Sequence, residues 1–247
     1  MLLLNQVFRY PAKSQPEIEI INGLPNFYHW TQIPGISGQP QLTSGINGMA
    51  KVSTPSGERR PAVLIRSSPY LYGTKSTPWQ DRYDLDKGRV RYFGDAKRIH
   101  MPDPLKPKGN KALLELFEDH QSPNREDREN SAPLIFFVSP RKGQAEFRGI
   151  GVIESAERIS QVDSNQQPFT NYVFECTILD LKDEGEALNW EWIRERADRT
   201  RLDNETTTFA PEAWKHWVRN GSSALSNVRR NVAKFDTSPK QDQLPKH

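Results

Sequence analysis

Apolar positions along this chain fall into short runs and not into long helical stripes. Residues 7–10 and 17–21 read as short strands. Residues 61–65 (PAVLI) and 134–138 (LIFFV) are unbroken apolar runs of the length expected for strands covered on both faces. Residues 89–93 follow the turn signal Asp86-Lys87-Gly88 and read as another strand. Residues 147–153 and 171–179 add two more, joined by a polar loop over 160–167. Helical spacing first appears at 111–119, where Leu113, Leu114 and Phe117 share a face and Asn110 is placed to cap the first turn. It returns at 186–198 and 211–220, the latter with Pro211 at its start and Gly221 as its stop. Trp190, Trp192, Trp214 and Trp217 lie on the apolar sides of these two helices and read as packing residues. Residues 121–130 form a polar linker. Residues 31–48 carry Pro34, Gly35, Gly38, Pro40, Gly45 and Gly48 and keep no period, so they read as a long loop, a feature that is frequently functional in a compact domain.

These elements predict an α+β fold: a mixed sheet of five or more strands, one or two helices against it, and a helical C-terminal extension. The sheet domain spans residues 1–185, the helices that pack on it span 186–236, and 237–247 form a disordered tail.

Composition narrows the classes. Six tryptophans and 10% aromatic residues are too many for a disordered chain. The single cysteine, Cys176, leaves no disulfide framework and no zinc site built on cysteine pairs. No apolar run approaches the roughly 18 residues of a membrane span, and Met1-Leu2-Leu3-Leu4 is too short for a signal peptide. The expected setting is a reducing cytoplasm, with no membrane partner.

Charge changes the picture more. The net charge is +3, but residues 51–111 hold fourteen Lys or Arg against six Asp or Glu, about +8, and the rest of the chain holds twenty against twenty-five, about −5. Tyr70, Tyr72, Trp79, Tyr83, Tyr92 and Phe93 are interleaved with those basic residues. Cations suit phosphates and aromatic faces suit bases, so the block points to nucleic acid.

Catalytic chemistry is hard to find. The five histidines are unpaired at ligand spacing, and there is neither a phosphate-cradling glycine loop nor a G-x-S-x-G. The best candidate for metal-dependent cleavage is Asp180-Leu181-Lys182 at a strand end, with Asp163 as the second carboxylate. Asp163 lies in a polar loop with no strand leading into it. The reading is that this chain binds and does not cut; catalytic and metal-binding residues are expected to be none.

Residues 66–97 read RSSPYLYGTKSTPWQDRYDLDKGRVRYFGDAK. A strand into Arg-Ser-Ser-Pro, then Thr-Pro-Trp-x-Asp, then a glycine-led strand ending Tyr-Phe-Gly-Asp-x-Lys resembles the N-terminal recognition domain of the MspJI, AspBHI and LpnPI family of modification-dependent restriction endonucleases. The resemblance implies an SRA-like, PUA-related curved mixed β-sheet or barrel with flanking helices, which flips 5-methylcytosine or 5-hydroxymethylcytosine out of duplex DNA. It also implies a bacterial restriction system and a separate C-terminal nuclease domain that uses magnesium. Nothing after Asp236 has room for such a domain, so the expectation is a recognition domain alone, without a cofactor. The Tyr-Asp-Gly signature of eukaryotic SRA domains is absent, since Leu85 follows Tyr83-Asp84.

A base removed from the stack needs stacking faces and a partner for its polar edge. Trp79 with Tyr92 or Phe93 supplies the faces. Asp95 supplies a carboxylate for the exocyclic amine of cytosine, with Asp81 as rival and Ser68 beside them. Alternation puts Phe93 and Asp95 on one face and Tyr92 on the other, unless Gly94 marks a bulge, so the stacking aromatic stays open. Arg66, Arg89, Arg91, Lys97 and Arg98 are the expected DNA contacts, clustered around the pocket. Gln39 and Gln41 on one loop, with Gln166 and Gln167 on another, are candidates for filling the vacated stack or reading neighbouring bases. Two other readings compete: a PUA-like RNA-binding module, and a nuclease using Asp163, Asp180 and Lys182.

Overall fold

The computed structural model describes residues 1–36, 38–74, 77–96, 103–105, 107–163 and 165–232. Its centre is an eight-stranded sheet built from β1 (Val7–Arg9), β2 (Ile46–Gly48), β3 (Val63–Ser67), β4 (Arg82–Asp84), β5 (Arg89–Phe93), β6 (Leu134–Val138), β7 (Gln144–Val162) and β8 (Pro168–Ile178). The order is β2-β3-β6-β7-β8-β5-β4, with β1 paired to the start of β7. Only β3 and β6 run parallel; the other pairs are antiparallel. The sheet is open and not a closed barrel.

The apolar runs in β3 and β6 are explained by cover on both faces. Leu64, Ile135 and Phe137 enter one cluster with Phe8, Phe147, Trp190, Trp192, Trp214 and Trp217. Val63, Ile65, Leu134 and Phe136 point the other way, into a cluster with Val90, Tyr92, Phe174 and Leu113. The first cluster is covered by α3 (Glu191–Ala197) and α5 (Glu212–Asn220), and the second by α1 (Lys108–Gln121). All four C-terminal tryptophans are buried, as packing residues should be.

Several elements differ from the sequence reading. Residues 121–130 are not a plain linker, because 125–130 form the short helix α2 (Arg125–Asn130). The helix expected at 186–198 starts at Glu191, since Ala187–Leu188 pairs with Leu2–Leu3 as a two-stranded ribbon. A further helix, α4 (Asp203–Thr207), precedes α5. The loop expected at 160–167 is shorter, because β7 runs nineteen residues to Val162 and β8 begins at Pro168. Asn110 does not cap α1 but lies inside its first turn, fully buried.

The basic block is also not wholly a surface. Arg59 is buried, donates to the carbonyls of Arg196, Asp198 and Arg201, and pairs with Asp203 at 2.7 Å. Arg196 is likewise buried and donates to the carbonyls of Arg60, Pro61, Glu129, Asn130 and Ser131. Burial and the neighbouring Arg59 charge push its pKa down to about 9. These two guanidiniums satisfy loop carbonyls that would otherwise be stranded, so their charge is spent inside the protein.

Candidate nucleic-acid interface

Ser67 and Phe93 lie on strands four places apart in the sheet, yet one carboxylate bonds both. Asp81 accepts from the Ser67 hydroxyl at 2.6 Å and from the Phe93 amide at 3.0 Å. The sheet therefore curls until the ends of β3 and β5 face each other. Between them is a cavity of about 320 Å³, near the lower end of the roughly 300–1,000 Å³ usual for small-ligand sites. Its walls include Trp79, Tyr92, Phe93, Asp81, Asp95, Ser68 and Arg66. Thr43, Ser44 and Gly45 close one side, and the Gly45 carbonyl accepts from the Arg66 amide at 2.7 Å. A side chain at Gly45 would sit 2.6 Å from the Tyr92 hydroxyl, so only glycine lets this loop approach.

Trp79 is mostly buried, with its ring 6.4 Å from that of Phe169 on β8. Gly94 is not a bulge. The ladder continues in register from Phe93 opposite Val173 to the Gly94 amide on the Tyr172 carbonyl at 2.9 Å. Tyr92 and Phe93 both reach the cavity because it sits at the strand's end.

The two carboxylates differ in setting. Asp81 is almost enclosed, and desolvation pushes its pKa up to about 6 against the opposing hydrogen bonds from Ser67 and the Phe93 amide. The Tyr83 hydroxyl lies 3.1 Å from Ser67 and the Tyr72 hydroxyl donates to the Asp81 carbonyl at 3.3 Å, so this wall is a connected polar network. Asp95 is half-buried and accepts from the Asn110 amide, in the first turn of α1, at 3.1 Å. The Asn110 side chain accepts from the Asp95 amide and donates to Asn171 at 3.2 Å; Asn171 donates to the Gly94 carbonyl. Sequence reasoning missed Ser67, Asn110 and Asn171 as supports of this site. An asparagine inside an apolar strand, as Asn171 is, was the one available signal.

The remaining expected contacts scatter. Arg89 and Arg91 do not line the cavity. They alternate away from Val90 and Tyr92 into a separate concavity with Arg82 and Arg148, where Arg91 pairs with Glu175 at 2.8 Å. Lys97 and Arg98 lie outside the described residues. Gln39 is not available to read bases: its amide accepts from the Ile33 amide and donates to the carbonyls of Ile33 and Ile36. Gln41 is half-buried and accepts from the Tyr28 hydroxyl at 3.2 Å. Gln166 and Gln167 are exposed at the tip of the β7–β8 turn, within three residues of Phe169 and thus beside the Trp79 wall.

Asp163 holds that turn by accepting from the amides of Asn165 and Gln167. It is separated from Asp180 by the whole of β8, eleven residues at about 3.3 Å each, so the two cannot share a metal. Among the described residues no group of three His, Cys, Asp or Glu side chains is gathered at metal-binding distance, and no helix is long and apolar enough to cross a membrane.

The open α+β fold is similar to solved structures of restriction enzymes and their DNA-recognition parts. A structure described as MspJI restriction endonuclease in complex with a 27-mer oligonucleotide aligns with a TM-score of 0.86 and 33% identity, covering 99% of this chain and 57% of that one. The DNA-recognition domain of the cytosine modification-dependent restriction endonuclease LpnPI aligns at 0.60 and 18%, covering 96% and 92%. The DNA modification-dependent restriction endonuclease AspBHI aligns at 0.62 and 19%, covering 94% and 52%. The chain thus spans little more than half of the MspJI and AspBHI chains. No curated protein matches it in sequence. Residues 44–228 match the family described as restriction endonuclease AspBHI N-terminal, and the chain belongs to that family.

Proposed function

We propose that this chain binds double-stranded DNA containing 5-methylcytosine or 5-hydroxymethylcytosine by rotating the modified base out of the helix and into the cavity between β3 and β5. The observation that carries the reading is the gathering of Trp79, Tyr92 and Phe93 with Asp81 and Asp95 in one site large enough to admit a nucleobase. Extrusion costs a few kcal/mol, least for a weakly paired base. Stacking on an aromatic face returns about 1–3 kcal/mol per base.

A carboxylate accepts from the N4 amine of the flipped cytosine. The geometry favours Asp81 for this part over Asp95: its oxygens are aimed by two internal donors and it is desolvated, which is the usual condition of a working carboxylate. Asp95 then positions the wall by holding α1. Gln166 and Gln167, exposed at the β7–β8 tip, fill the gap left in the stack. Cleavage belongs to a further, magnesium-using nuclease domain of a longer protein in a bacterial cytoplasm, and this chain supplies recognition.

Fluorescence anisotropy with matched duplexes that are methylated, hydroxymethylated or unmodified, and with RNA of the same sequence, tests the proposal. Preference for the modified duplexes is expected. Equal binding to modified and unmodified DNA refutes the reading, and tighter binding to RNA replaces it with an RNA-binding module.

A further inference from the structure

Arg66 is a cationic group of the cavity that stacking and the carboxylate contact leave without a role. Its side chain is half-buried and lines the cavity, and its Nε is shielded from solvent with no hydrogen-bond partner. No ion pair or side-chain hydrogen bond of Arg66 occurs among the described residues, although two carboxylates share its cavity. The contrast with Arg59 and Arg196, which fill their donors with carbonyls, is sharp. A guanidinium carries five fixed donors and no acceptor, and stranded buried donors are costly. A group kept in this state calls for an acceptor brought by a ligand.

Resting on the base-flipping reading, we propose that Arg66 is a specificity-determining residue that donates to the N3 and O2 acceptors of the flipped cytosine, opposite the carboxylate that takes N4. The polar edge of cytosine runs donor, acceptor, acceptor. A carboxylate followed by a guanidinium is the complement of that order. Thymine presents an acceptor at position 4 and a donor at N3, so it meets the carboxylate and the guanidinium with like groups at both. The pair therefore selects cytosine over thymine, a distinction that stacking on Trp79 or Tyr92 cannot make. A backbone phosphate fits the same donors less well, because the carboxylates of Asp81 and Asp95 line the same cavity.

The test uses Arg66→Met and Arg66→Lys with three duplexes: one 5-methylcytosine, the unmodified match, and the same site carrying 5-methylpyrimidin-2-one, which keeps N3 and O2 but lacks the N4 amine. Because Arg66 has no side-chain hydrogen bond or ion pair among the described residues, both variants are expected to keep the wild-type circular dichroism and melting temperature. Arg66→Met should lose about 10- to 100-fold in affinity for the methylated duplex, the range of a charge-assisted hydrogen bond, and about the same factor on the pyrimidinone. Asp81→Ala should weaken the methylated duplex but not the pyrimidinone. Arg66→Lys keeps the charge but not the planar fork, and should lose most of the same discrimination. Unmodified DNA and the slope of log affinity against log salt should not change in either Arg66 variant.

A slope flattened by about 0.9 with equal losses on all duplexes assigns Arg66 to a phosphate and overturns the proposal. Undiminished preference for the methylated duplex in Arg66→Met overturns it as well. A misfolded Arg66→Met shows a structural role and also counts against it. Failure of the parent reading looks different, since the wild-type protein itself would then show no preference for the methylated duplex.

Discussion

Asp95 and Asn110 exchange hydrogen bonds: the Asp95 carboxylate accepts from the Asn110 amide at 3.1 Å, and the Asn110 side chain accepts from the Asp95 amide at 2.8 Å. The first turn of a helix has amides without helical partners and a positive electrostatic end, so a carboxylate from another segment does the work of a cap. The approach is close: a side chain at Gly94 would collide with the Asn110 amide oxygen, and one at Gly109 with the Asp95 carboxylate. Asp95→Ala should therefore cost about 0.5–2 kcal/mol of stability, with Asp95→Asn costing less because it retains an acceptor. Thermal unfolding of both variants measures this. An unchanged melting temperature together with lost methyl discrimination would move Asp95 from anchoring α1 to contacting the base.

Asp81 makes opposite demands on folding and on binding. Its pKa rises from 3.8 to about 6 on folding, so the folded chain holds this proton more tightly than the unfolded one. The stabilisation from that proton is present below pH 3.8 and lost as pH rises through 6, up to about 3 kcal/mol at 1.36 kcal/mol per pH unit. Binding runs the other way, because the ionised carboxylate is the better acceptor for N4. Affinity for methylated duplex should fall between pH 7.5 and 5.5. Asp81→Asn should bind weakly and without this pH dependence, and its stability at pH 8 relative to wild type should exceed that at pH 5. A wild-type affinity that is flat with pH would remove Asp81 from the base edge.

What could be read in the sequence was local. The runs at 61–65 and 134–138 are apolar because both faces of those strands are covered, and composition alone carries that. Arg66, Ser68, Trp79, Asp81 and residues 92–95 meet at one cavity because they lie at two strand ends and in the segment between them, while Arg82, Arg89 and Arg91 of the same block face a second concavity. The failures come from contacts distant in sequence. Asp81 becomes a wall only because the curled sheet brings Ser67 and Phe93 to it. Gln39 reads as a free loop amide until its bonds to Ile33 and Ile36 are seen. The outer half of β7 is exposed and polar, so its strand character comes from its pairing with β8, which no periodicity in a polar stretch reveals. Arg59 counted towards a basic surface while its partners lie about 140 residues away.

The glutamines separate by role. Gln39→Ala should lower the melting temperature, since three loop bonds go unmade, and should leave flanking-base preference as it is in the folded protein. Gln166→Ala with Gln167→Ala should do the reverse, leaving stability within about 0.5 kcal/mol as for other exposed positions and weakening methylated duplex or relaxing its flanking preference. Selection from randomised flanks around one 5-methylcytosine, paired with thermal unfolding, reads both. A preference profile identical to wild type in the double tip variant would place the wedge elsewhere.

Acid stability should depend on His120. The ring is enclosed between α1, β7 and the C-terminal helices, edge-on to Trp217 at 5.3 Å and to Trp214 at 6.4 Å. Its Nδ1 accepts from the Ile153 amide at 2.9 Å, which leaves Nε2 to carry the proton and donate to the Ala132 carbonyl at 3.0 Å. A second proton would need Nδ1, whose lone pair already faces an N–H. Burial drives the pKa down to about 3, against the Ala132 bond and helped by the Arg196 charge. The unfolded chain takes up the proton near pH 6.5 and the folded one near 3, so the stabilisation from neutral His120 is present above pH 6.5. It falls by about 1.4 kcal/mol per pH unit below that, until both states are protonated. His120→Gln preserves one acceptor and one donor but does not titrate. It should be less stable than wild type at pH 7.5, because it packs poorly against the two indoles, and the difference should shrink as pH is lowered to 4. Urea unfolding of both proteins at four pH values tests this; a stability difference that stays constant across the series would show that His120 is not the acid-sensitive group.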